Sequence, residues 1–285
     1  MAAMRIDAHQ HFWVYEPKEY GWIDTRMEAI RRDFSPDDLK PLLDKQGFQG
    51  SVAIQARQSL AESEYLLGLA DTHELVCGVV GWVDLCASDA AHQLDRLGSR
   101  KGFVGVRHIV QDEPDDRFLL REDFLRGVGL LEQRDLTYDI LIYPRQLPAA
   151  LEFVSHFPRQ RLILDHIAKP PIARRELEPW ASGIRALAEH ENLYCKVSGM
   201  VTEAEWRHFE RESFTPYLDV IFEAFGPERI MIGSDWPVCT LAASYDEVMG
   251  LVHHYIEELS EHERARILGL NAVDFYKLEA PTHEA

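Results

Sequence analysis

Short runs of apolar and β-branched residues recur along this chain of 285 residues, and they constrain its fold more than any other feature. Eight such runs are present, each with the length of a buried strand. They cover residues 4–9, 51–56, 76–83, 103–107, 137–142, 161–165, 193–198 and 230–234. Because the runs are largely apolar on both faces, they predict strands that are covered by helices, as in a parallel sheet.

Segments with helical spacing lie between these runs. Ser35 followed by Pro36 indicates one helix start, and Ser260 with Glu263 forms a capping-box pattern at another. The predicted helices cover residues 36–46, 61–72, 87–97, 121–134, 147–156, 175–190, 213–225, 244–259 and 261–276. Eight strand-then-helix units in about 250 residues predict an α/β fold, a single (β/α)8 TIM barrel. We expect one domain over residues 1–285, with a short C-terminal tail after the last helix.

An open, doubly wound sheet would show the same local alternation. It usually carries a Gly-rich phosphate-binding turn after its first strand, however, and that position here reads His9-Gln10-His11. No low-complexity tract or Gly/Ser linker marks a domain boundary. The barrel is therefore the favoured interpretation.

Composition argues against several classes of function. The chain has 30 Lys and Arg against 48 Asp and Glu, a formal net charge of -18, which argues against a nucleic-acid binder. No stretch approaches the roughly 20 uncharged apolar residues of a membrane helix. Charged residues occur early, at Arg5 and Asp7, where a signal peptide would be apolar. The four cysteines show no Cys-x-x-Cys spacing, so we expect reduced thiols and a cytoplasmic protein.

Polar residues stand where the apolar runs stop, at the barrel end where chemistry is expected. His9 and His11 are two positions apart on a strand, so they point the same way and can share a metal ion or a polarised carbonyl. A His-x-His pair alone fits a packing role equally well. His166 and Asp235 join it from two other strand ends, and this favours a functional site.

Other strand-end residues suggest contacts with a ligand. Arg107 suits an oxygen-rich or anionic group, although it could simply pair with a helix carboxylate. Lys196 lies in an apolar strand and either points into the pocket or reaches for the surface. The aromatic residues near the histidine pair are either core or the wall of a catalytic mouth. The predicted substrate contacts are Lys196, Tyr143, His108, Trp22, Trp82 and Trp236.

Five segments taken together resemble one known family. They read "DAHQHFWVYEPKEYGWI", "GFVGVRHIVQDEPD", "LILDHIAKP", "CKVSGMVTEAEW" and "IMIGSDWPVC". From about residue 4 to residue 276 the chain resembles the amidohydrolase superfamily. Within it the chain is similar to the sugar-acid lactonases of the L-fuconolactonase and L-rhamnonolactonase type, which are related to 2-pyrone-4,6-dicarboxylate lactonase. The resemblance implies a barrel, hydrolysis of a lactone ring, and functional roles for His9, His11, His166 and Asp235.

The chain departs from the wider superfamily at two positions. Two-metal amidohydrolases carry a carboxylated lysine after strand 4 and a histidine after strand 5, and these places read Arg107 and Tyr143 here. We therefore expect at most one divalent ion, with zinc the first candidate, held by His9, His11, His166 and Asp235 in some combination. Relatives of the pyrone lactonase type work without metal, so the resemblance leaves open whether activity needs the ion.

The predicted chemistry is attack of water on a lactone carbonyl. Asp235 is the expected general base. The three histidines are expected to hold an ion or to polarise the carbonyl directly, and Arg107 to bind the carbonyl or a ring hydroxyl. The expected substrate is a polyhydroxylated aldonolactone of the L-fuconolactone kind. Two other functions fit the same residues: a metal-dependent decarboxylase of the superfamily and a non-catalytic barrel that binds sugar acids. The sequence indicates neither the ring size of the lactone nor an oligomeric state.

Overall fold

A computed structural model describes residues 3–279 of the chain. Eight strands form one parallel sheet in chain order, each paired with the next. They are β1 (Ile6–Gln10), β2 (Gly50–Ile54), β3 (Val76–Gly81), β4 (Phe103–His108), β5 (Thr137–Ile140), β6 (Leu162–Leu164), β7 (Leu193–Val197) and β8 (Ile230–Ile232). The fold class predicted from the recurring apolar runs is confirmed.

The sheet closes where its first and last strands end. Gln10 and Trp236 form a parallel bridge just beyond the two strands. The backbone N–H of His11 donates to the carbonyl of Trp236 over 2.7 Å, and that of Asp235 donates to the carbonyl of His9 over 2.8 Å. Closure of the barrel therefore brings the beginning and the end of the chain together at the predicted site.

Ten helices cover the sheet or close its ends. They are α1 (Pro36–Gln46), α2 (Leu60–Thr72), α3 (Ala90–Gly98), α4 (Glu122–Val128), α5 (Leu147–His156), α6 (Trp180–Ala188), α7 (Thr215–Phe225), α8 (Tyr245–Tyr255), α9 (Glu261–Ala265) and α10 (Asn271–Tyr276) within the described residues. None of these helices has both the length and the apolar character that crossing a bilayer requires.

Several predicted helices are shorter or more broken than their sequence pattern indicates, and two of them contain a glycine that packs closely against distant backbone. The helix predicted over residues 121–134 ends at Val128, beside Gly127, whose Cα lies so near the carbonyl of Leu85 that a Cβ would be 2.0 Å from it. The helix predicted over residues 261–276 is interrupted by a π-helical turn at Arg266–Leu270, where Gly269 packs against the backbone of Met4. Of the tail predicted beyond residue 276, the part from residue 280 onward lies outside the described residues.

The apolar core has two parts. The larger lies between the strands and the surrounding helices, and the smaller lies inside the barrel. The inner cluster joins strand residues such as Ile6, Val52 and Met231 to Phe275 and Tyr276 of α10. Helix α10 thus covers the N-terminal end of the barrel, and the opposite end stays available for a site.

Candidate active site

Asp235 lies at the centre of the C-terminal end of the barrel, with three imidazole rings around it. Its Oδ1 lies 3.3 Å from Nε2 of His11 and 3.8 Å from Nε2 of both His9 and His166. All four residues are at most 4% exposed. The structure therefore brings together the four residues that the strand ends predict as a site.

Hydrogen bonds on the far side of two rings fix which nitrogen faces Asp235. His11 Nδ1 lies 2.8 Å from the carbonyl of Ile54, and since a carbonyl only accepts, Nδ1 carries the proton. His166 Nδ1 lies 2.9 Å from the hydroxyl of Ser198. The Nε2 lone pair of His11 then faces a carboxylate oxygen, an arrangement that a shared cation stabilises.

An irregularity in β1 helps to place the two histidines. The register of β1 against β2 shifts between Asp7 and Gln10, and such bulges often redirect side chains near active sites. Asp7 turns toward α8, where it accepts hydrogen bonds from the hydroxyl of Tyr245 and the backbone of Ser234. Burial raises the pKa of Asp7 to about 6 despite these donors. Asp7 thus joins β1 to the loop after β8 and to α8.

A network of buried charges lies beneath His9. Arg107 Nη1 donates to Oδ2 of Asp165 over 3.0 Å, and Lys196 Nζ lies 3.1 Å from Oδ1 of the same carboxylate. Lys196 also donates to Asp139, which accepts a further hydrogen bond from the hydroxyl of Tyr276 in α10. Two cations and two carboxylates therefore compensate one another inside the barrel.

His9 rests on this network. Its Nδ1 lies 3.5 Å from Asp165 and 3.4 Å from Lys196 Nζ, while its Nε2 lies 3.3 Å from Arg107 Nη1. Burial lowers the pKa of His9 well below its usual value, although Asp165 opposes the shift. The ring is therefore neutral, and it can accept a proton or a cation only at Nε2 or Nδ1.

At Asp235, neighbouring groups together affect the pKa more than burial does. Burial alone would raise it, but His166 and the close contact with His11 outweigh burial and hold the pKa of Asp235 below its ordinary value. Asp235 is therefore ionised at neutral pH, in the state that a general base requires.

The turn after β6 has an uncommon backbone. His166, Ile167, Ala168 and Lys169 all have left-handed φ angles, between +48° and +56°. This conformation is costly for residues with a Cβ, and most costly for a β-branched residue such as Ile167. The turn directs both His166 and Lys169 to the same wall of the barrel mouth.

A cavity of about 230 Å³ opens above Asp235. At about 30 Å³ for each molecule of liquid water, it has room for seven or eight waters, the size of one small ring. Among the residues predicted from the sequence, those that line it are His11, Arg107, Tyr143, His166, Asp235 and Trp22. Lys169, Gln111 and Asp112 also line it and were not predicted.

Four of the predicted substrate contacts lie outside this pocket. His108 follows Arg107 on β4, so it points outward, where it stacks on Phe118 and bonds to Glu113 and to Trp82 Nε1. Trp236 packs against Phe12 and Phe34. Lys196 lies below His9 with no exposure. A direct substrate contact by His108, Trp82, Trp236 or Lys196 has no support in this geometry.

Three buried polar atoms of residues that line the pocket have no partner within the described chain. They are the indole N–H of Trp22, the Nε–H of Arg107 and the amide oxygen of Gln111. Donors and an acceptor left without partners suit a ligand that carries hydroxyl groups, since a hydroxyl can serve both. The aromatic segment around Trp22 is largely core: Trp13 and Tyr20 are buried, and only Trp22 reaches the pocket.

The residues fit a single metal ion. A tetrahedral zinc ion with ligands at about 2.0–2.1 Å places those ligands roughly 3.3–3.4 Å apart. The His11 to Asp235 separation is 3.3 Å, and the distances from Asp235 to His9 and His166 are 3.8 Å. Arg107 contacts His9 Nε2 and so competes for the lone pair of that ring. The donor atoms of His9, His11 and Asp235 all lie within 4.8 Å of one another, and His166 falls in a second such group with His9 and Asp165.

The whole barrel matches a known family. The model of the amidohydrolase family matches residues 6–278. The chain belongs to the amidohydrolase family. This amidohydrolase is 43% identical to an L-fucono-1,5-lactonase of Burkholderia multivorans, over 99% of this chain and 98% of the relative. It is 38% identical to an L-fucono-1,5-lactonase of Burkholderia ambifaria, over 98% of this chain and 97% of the relative.

Solved structures agree with this membership. A crystal structure of an amidohydrolase from Burkholderia multivorans with bound zinc superimposes with a TM-score of 0.93 at 42% identity. The match covers 97% of this chain and all of the other chain. The barrel of this amidohydrolase and the closure of its ends are thus shared with a solved relative.

Proposed function

We propose that the protein hydrolyses a sugar-acid lactone, with L-fucono-1,5-lactone the first candidate. The observation that carries this proposal is one ionised, buried carboxylate, Asp235, placed at the floor of a small polar pocket among three neutral or hydrogen-bonded imidazoles. The names of the two relatives above 35% identity supply the substrate class. The unpartnered polar atoms of Trp22 and Gln111 fit a ring that carries hydroxyl groups.

Asp235 acts as the general base in the proposed reaction. It takes a proton from a water molecule while the water oxygen adds to the lactone carbonyl carbon. When the bond from that carbon to the ring oxygen breaks, the same carboxyl returns the proton to the leaving alkoxide. The new carboxylic acid then loses its proton to solvent, and the product leaves as an aldonate with a free hydroxyl.

The other buried residues keep this carboxyl and its neighbours in place. His11 is held by the carbonyl of Ile54 and His166 by Ser198, so each ring presents Nε2 to the reacting centre. Arg107 is held by Gln55 and Asp165 and lies against His9. We infer that it chiefly orders His9 and contacts the substrate only at the edge of its guanidinium.

His11, His166 and Asp235, with His9, are the residues that would hold one divalent ion, with zinc the first candidate. A bound ion would supply Lewis acidity, which polarises a carbonyl and lowers the pKa of a bound water toward about 7. The zinc in the solved relative supports this assignment.

Cytoplasmic location is part of the proposal. The four cysteines, Cys77, Cys86, Cys195 and Cys239, are all unpaired. Free thiols suit a reducing compartment.

Hydrolysis of three lactones tests the proposed function. We expect kcat/KM for L-fucono-1,5-lactone to exceed that for L-rhamnonolactone, and both to exceed that for an unsubstituted alkyl lactone. An alkyl ring would leave polar groups of the pocket without partners, at about 1–3 kcal/mol each. Release of acid at constant pH measures the rates. Equal or better use of the alkyl lactone would refute the assignment.

The same assay separates the two alternatives. A decarboxylase would release carbon dioxide from a hydroxyaromatic or sugar acid and leave lactones unchanged. A binding module would bind the lactone and release no acid.

A further inference from the structure

Within residues 3–279, two cations line the pocket, and Lys169 has more N–H groups without a partner than Arg107 has. The terminal nitrogens of Arg107 contact Asp165, Gln55 and His9, which leaves one buried donor, its Nε–H, without a partner in the described chain. The ammonium of Lys169 lies 3.4 Å from Glu203 Oε1, which engages one of its three N–H groups. At least two of its N–H groups are therefore available to a molecule in the pocket.

The surroundings of Lys169 keep it charged and directed. Its side chain is 15% exposed, and Nζ lies 5.6 Å from the centre of the Tyr143 ring. Burial favours the neutral amine, but Glu203, Tyr143 and Asp235 outweigh burial and raise the pKa of Lys169. The contribution of Asp235 means that the ammonium lies within electrostatic reach of the proposed general base.

The left-handed turn explains how a residue five positions beyond β6 returns to the site. Four consecutive left-handed residues, from His166 to Lys169, reverse the chain within one turn. Strain of this kind persists only where the surrounding structure holds it, and it is often found where side chains are placed for function. Here it places a ring nitrogen and an ammonium on one wall of the same cavity.

We propose that Lys169 binds the carbonyl oxygen of the lactone and stabilises the negative charge that develops on it when water adds. This inference rests on the proposed function and names the group that acts on the carbonyl. Asp235 takes a proton from the attacking water, whose oxygen bonds to the carbonyl carbon. The electron pair of the C=O bond moves to the oxygen that Lys169 contacts. When this electron pair returns to form the C=O bond again, the bond between the carbonyl carbon and the ring oxygen breaks. The ring oxygen receives the proton from Asp235.

The product keeps this contact. The oxygen that Lys169 contacts in the lactone becomes one of the two carboxylate oxygens of the aldonate. The attraction between Lys169 and that oxygen is stronger for the anionic transition state and product than for the neutral lactone. Loss of Lys169 should therefore lower turnover and affinity for the aldonate more than affinity for the lactone.

Lys169→Met tests the proposal, with Lys40→Met as the matched control. Lys40 is an exposed residue of α1 paired with Asp44, so its replacement removes the same charge far from the chemistry. We expect Lys169→Met to lower kcat for L-fucono-1,5-lactone by about 10²-fold, the usual loss for one oxyanion donor, and to change KM less than about threefold. The control should leave both parameters unchanged.

Calorimetry with two ligands separates charge recognition from general damage to the pocket. The probes are L-fuconate, an anion, and L-fucitol, which carries hydroxyl groups without the carboxylate. Lys169→Met should weaken L-fuconate binding at least tenfold and leave L-fucitol binding within about threefold. An equal loss for both ligands would indicate a distorted pocket and overturn the proposal.

The calorimetric comparison also distinguishes failure of this inference from failure of the proposed function. If the wild type hydrolyses no lactone, the proposed function fails, yet selective loss of L-fuconate affinity would still support anion binding by Lys169. If the wild type is a lactonase and Lys169→Met retains its turnover and L-fuconate affinity, only the role of Lys169 is overturned. Absence of L-fuconate binding by the wild type also overturns that role.

Discussion

The chemistry of the site depends on one carboxylate being ionised in a place where burial opposes ionisation. Asp235 is 4% exposed, yet His166 and His11 hold its pKa below the ordinary value. The backbone of Asp235 is itself left-handed, with φ of +57°, and its N–H donates to the carbonyl of His9. Position, charge and backbone of this residue are thus fixed by β1 and β6 as well as by the end of β8.

Asp235→Asn is expected to lower kcat by about 10² to 10⁴-fold, the range for loss of a positioned acid-base group. An amide keeps the size and part of the hydrogen bonding of the carboxyl but does not take a proton from water. Calorimetric titration with L-fucitol checks that the variant still has an intact binding pocket. Retention of more than about a tenth of wild-type turnover would place the base elsewhere.

Single residues were predictable where they stand at strand ends. His9 lies near the end of its strand, and His11, His166 and Asp235 lie within three residues after theirs, so the rule for barrels identified them. Lys169 was missed because it lies five residues after the end of β6. The sequence gives no sign that the backbone is left-handed from His166 to Lys169. The direction of His108 depends on its alternation with Arg107, which the strand-end rule ignores.

At the scale of elements, the turn after β6 and the loop after β7 depend on each other. Ser198 bonds to His166 Nδ1, and Gly199 lies directly behind the same ring. A Cβ on Gly199 would lie 2.5 Å from His166 Nδ1, and its φ of +60° is unfavourable for other residues. The two loops therefore fit together only because Gly199 has no side chain.

Gly199→Ala is expected to lower kcat/KM by at least tenfold, because the new methyl group displaces His166 from Asp235. Gly102→Ala is the matched control. Gly102 has a φ of +86°, but its Cβ would meet only Ala70 at 3.7 Å. Both variants should lose about 1 kcal/mol of stability from the left-handed backbone, measured by urea unfolding. Equal kcat/KM for the two variants would contradict a role of this contact in catalysis.

Helix ends were the least predictable elements. The apolar pattern over residues 121–134 continues past Val128, where the helix ends one residue after Gly127 meets the carbonyl of Leu85. Helices α1 and α5 match their predicted bounds, and each has a proline near its N-terminus. A proline near the start of a helix is a local signal, whereas a contact such as that of Gly127 involves distant backbone that the sequence pattern does not show.

At the scale of the whole molecule, the barrel joins residues far apart in sequence into one ligand set. His9, His166 and Asp235 lie at the C-terminal ends of β1, β6 and β8, so the site forms only when the sheet has closed. The alternation of strands and helices sufficed to predict the barrel. The charged layer of Arg107, Asp139, Asp165 and Lys196 was not predictable as a network, because its partners are brought together only by closure.

The same layer limits how many ions the site can hold. A second divalent ion beside the first would lie near Arg107, whose guanidinium is 3.3 Å from His9 Nε2 and has no neutral form in proteins. Repulsion between this fixed charge and another cation is strong in a buried site. We therefore expect one ion at most.

Removal of the ion by a chelator should lower the thermal stability of the protein, and one equivalent of zinc should restore it. An ion that binds only the folded chain stabilises it by about 4 kcal/mol at a thousandfold excess over its Kd. At about 2–4 °C for each kcal/mol in chains of similar size, Tm should fall by about 8–16 °C on chelation. Calorimetric melting during zinc titration, with elemental analysis of the purified protein, measures both the shift and its stoichiometry.

His11→Ala should abolish the shift, whereas His254→Ala, at an exposed residue of α8, should preserve it. Saturation at two equivalents, or a shift that survives His11→Ala, would show that the ion binds differently from the arrangement around Asp235.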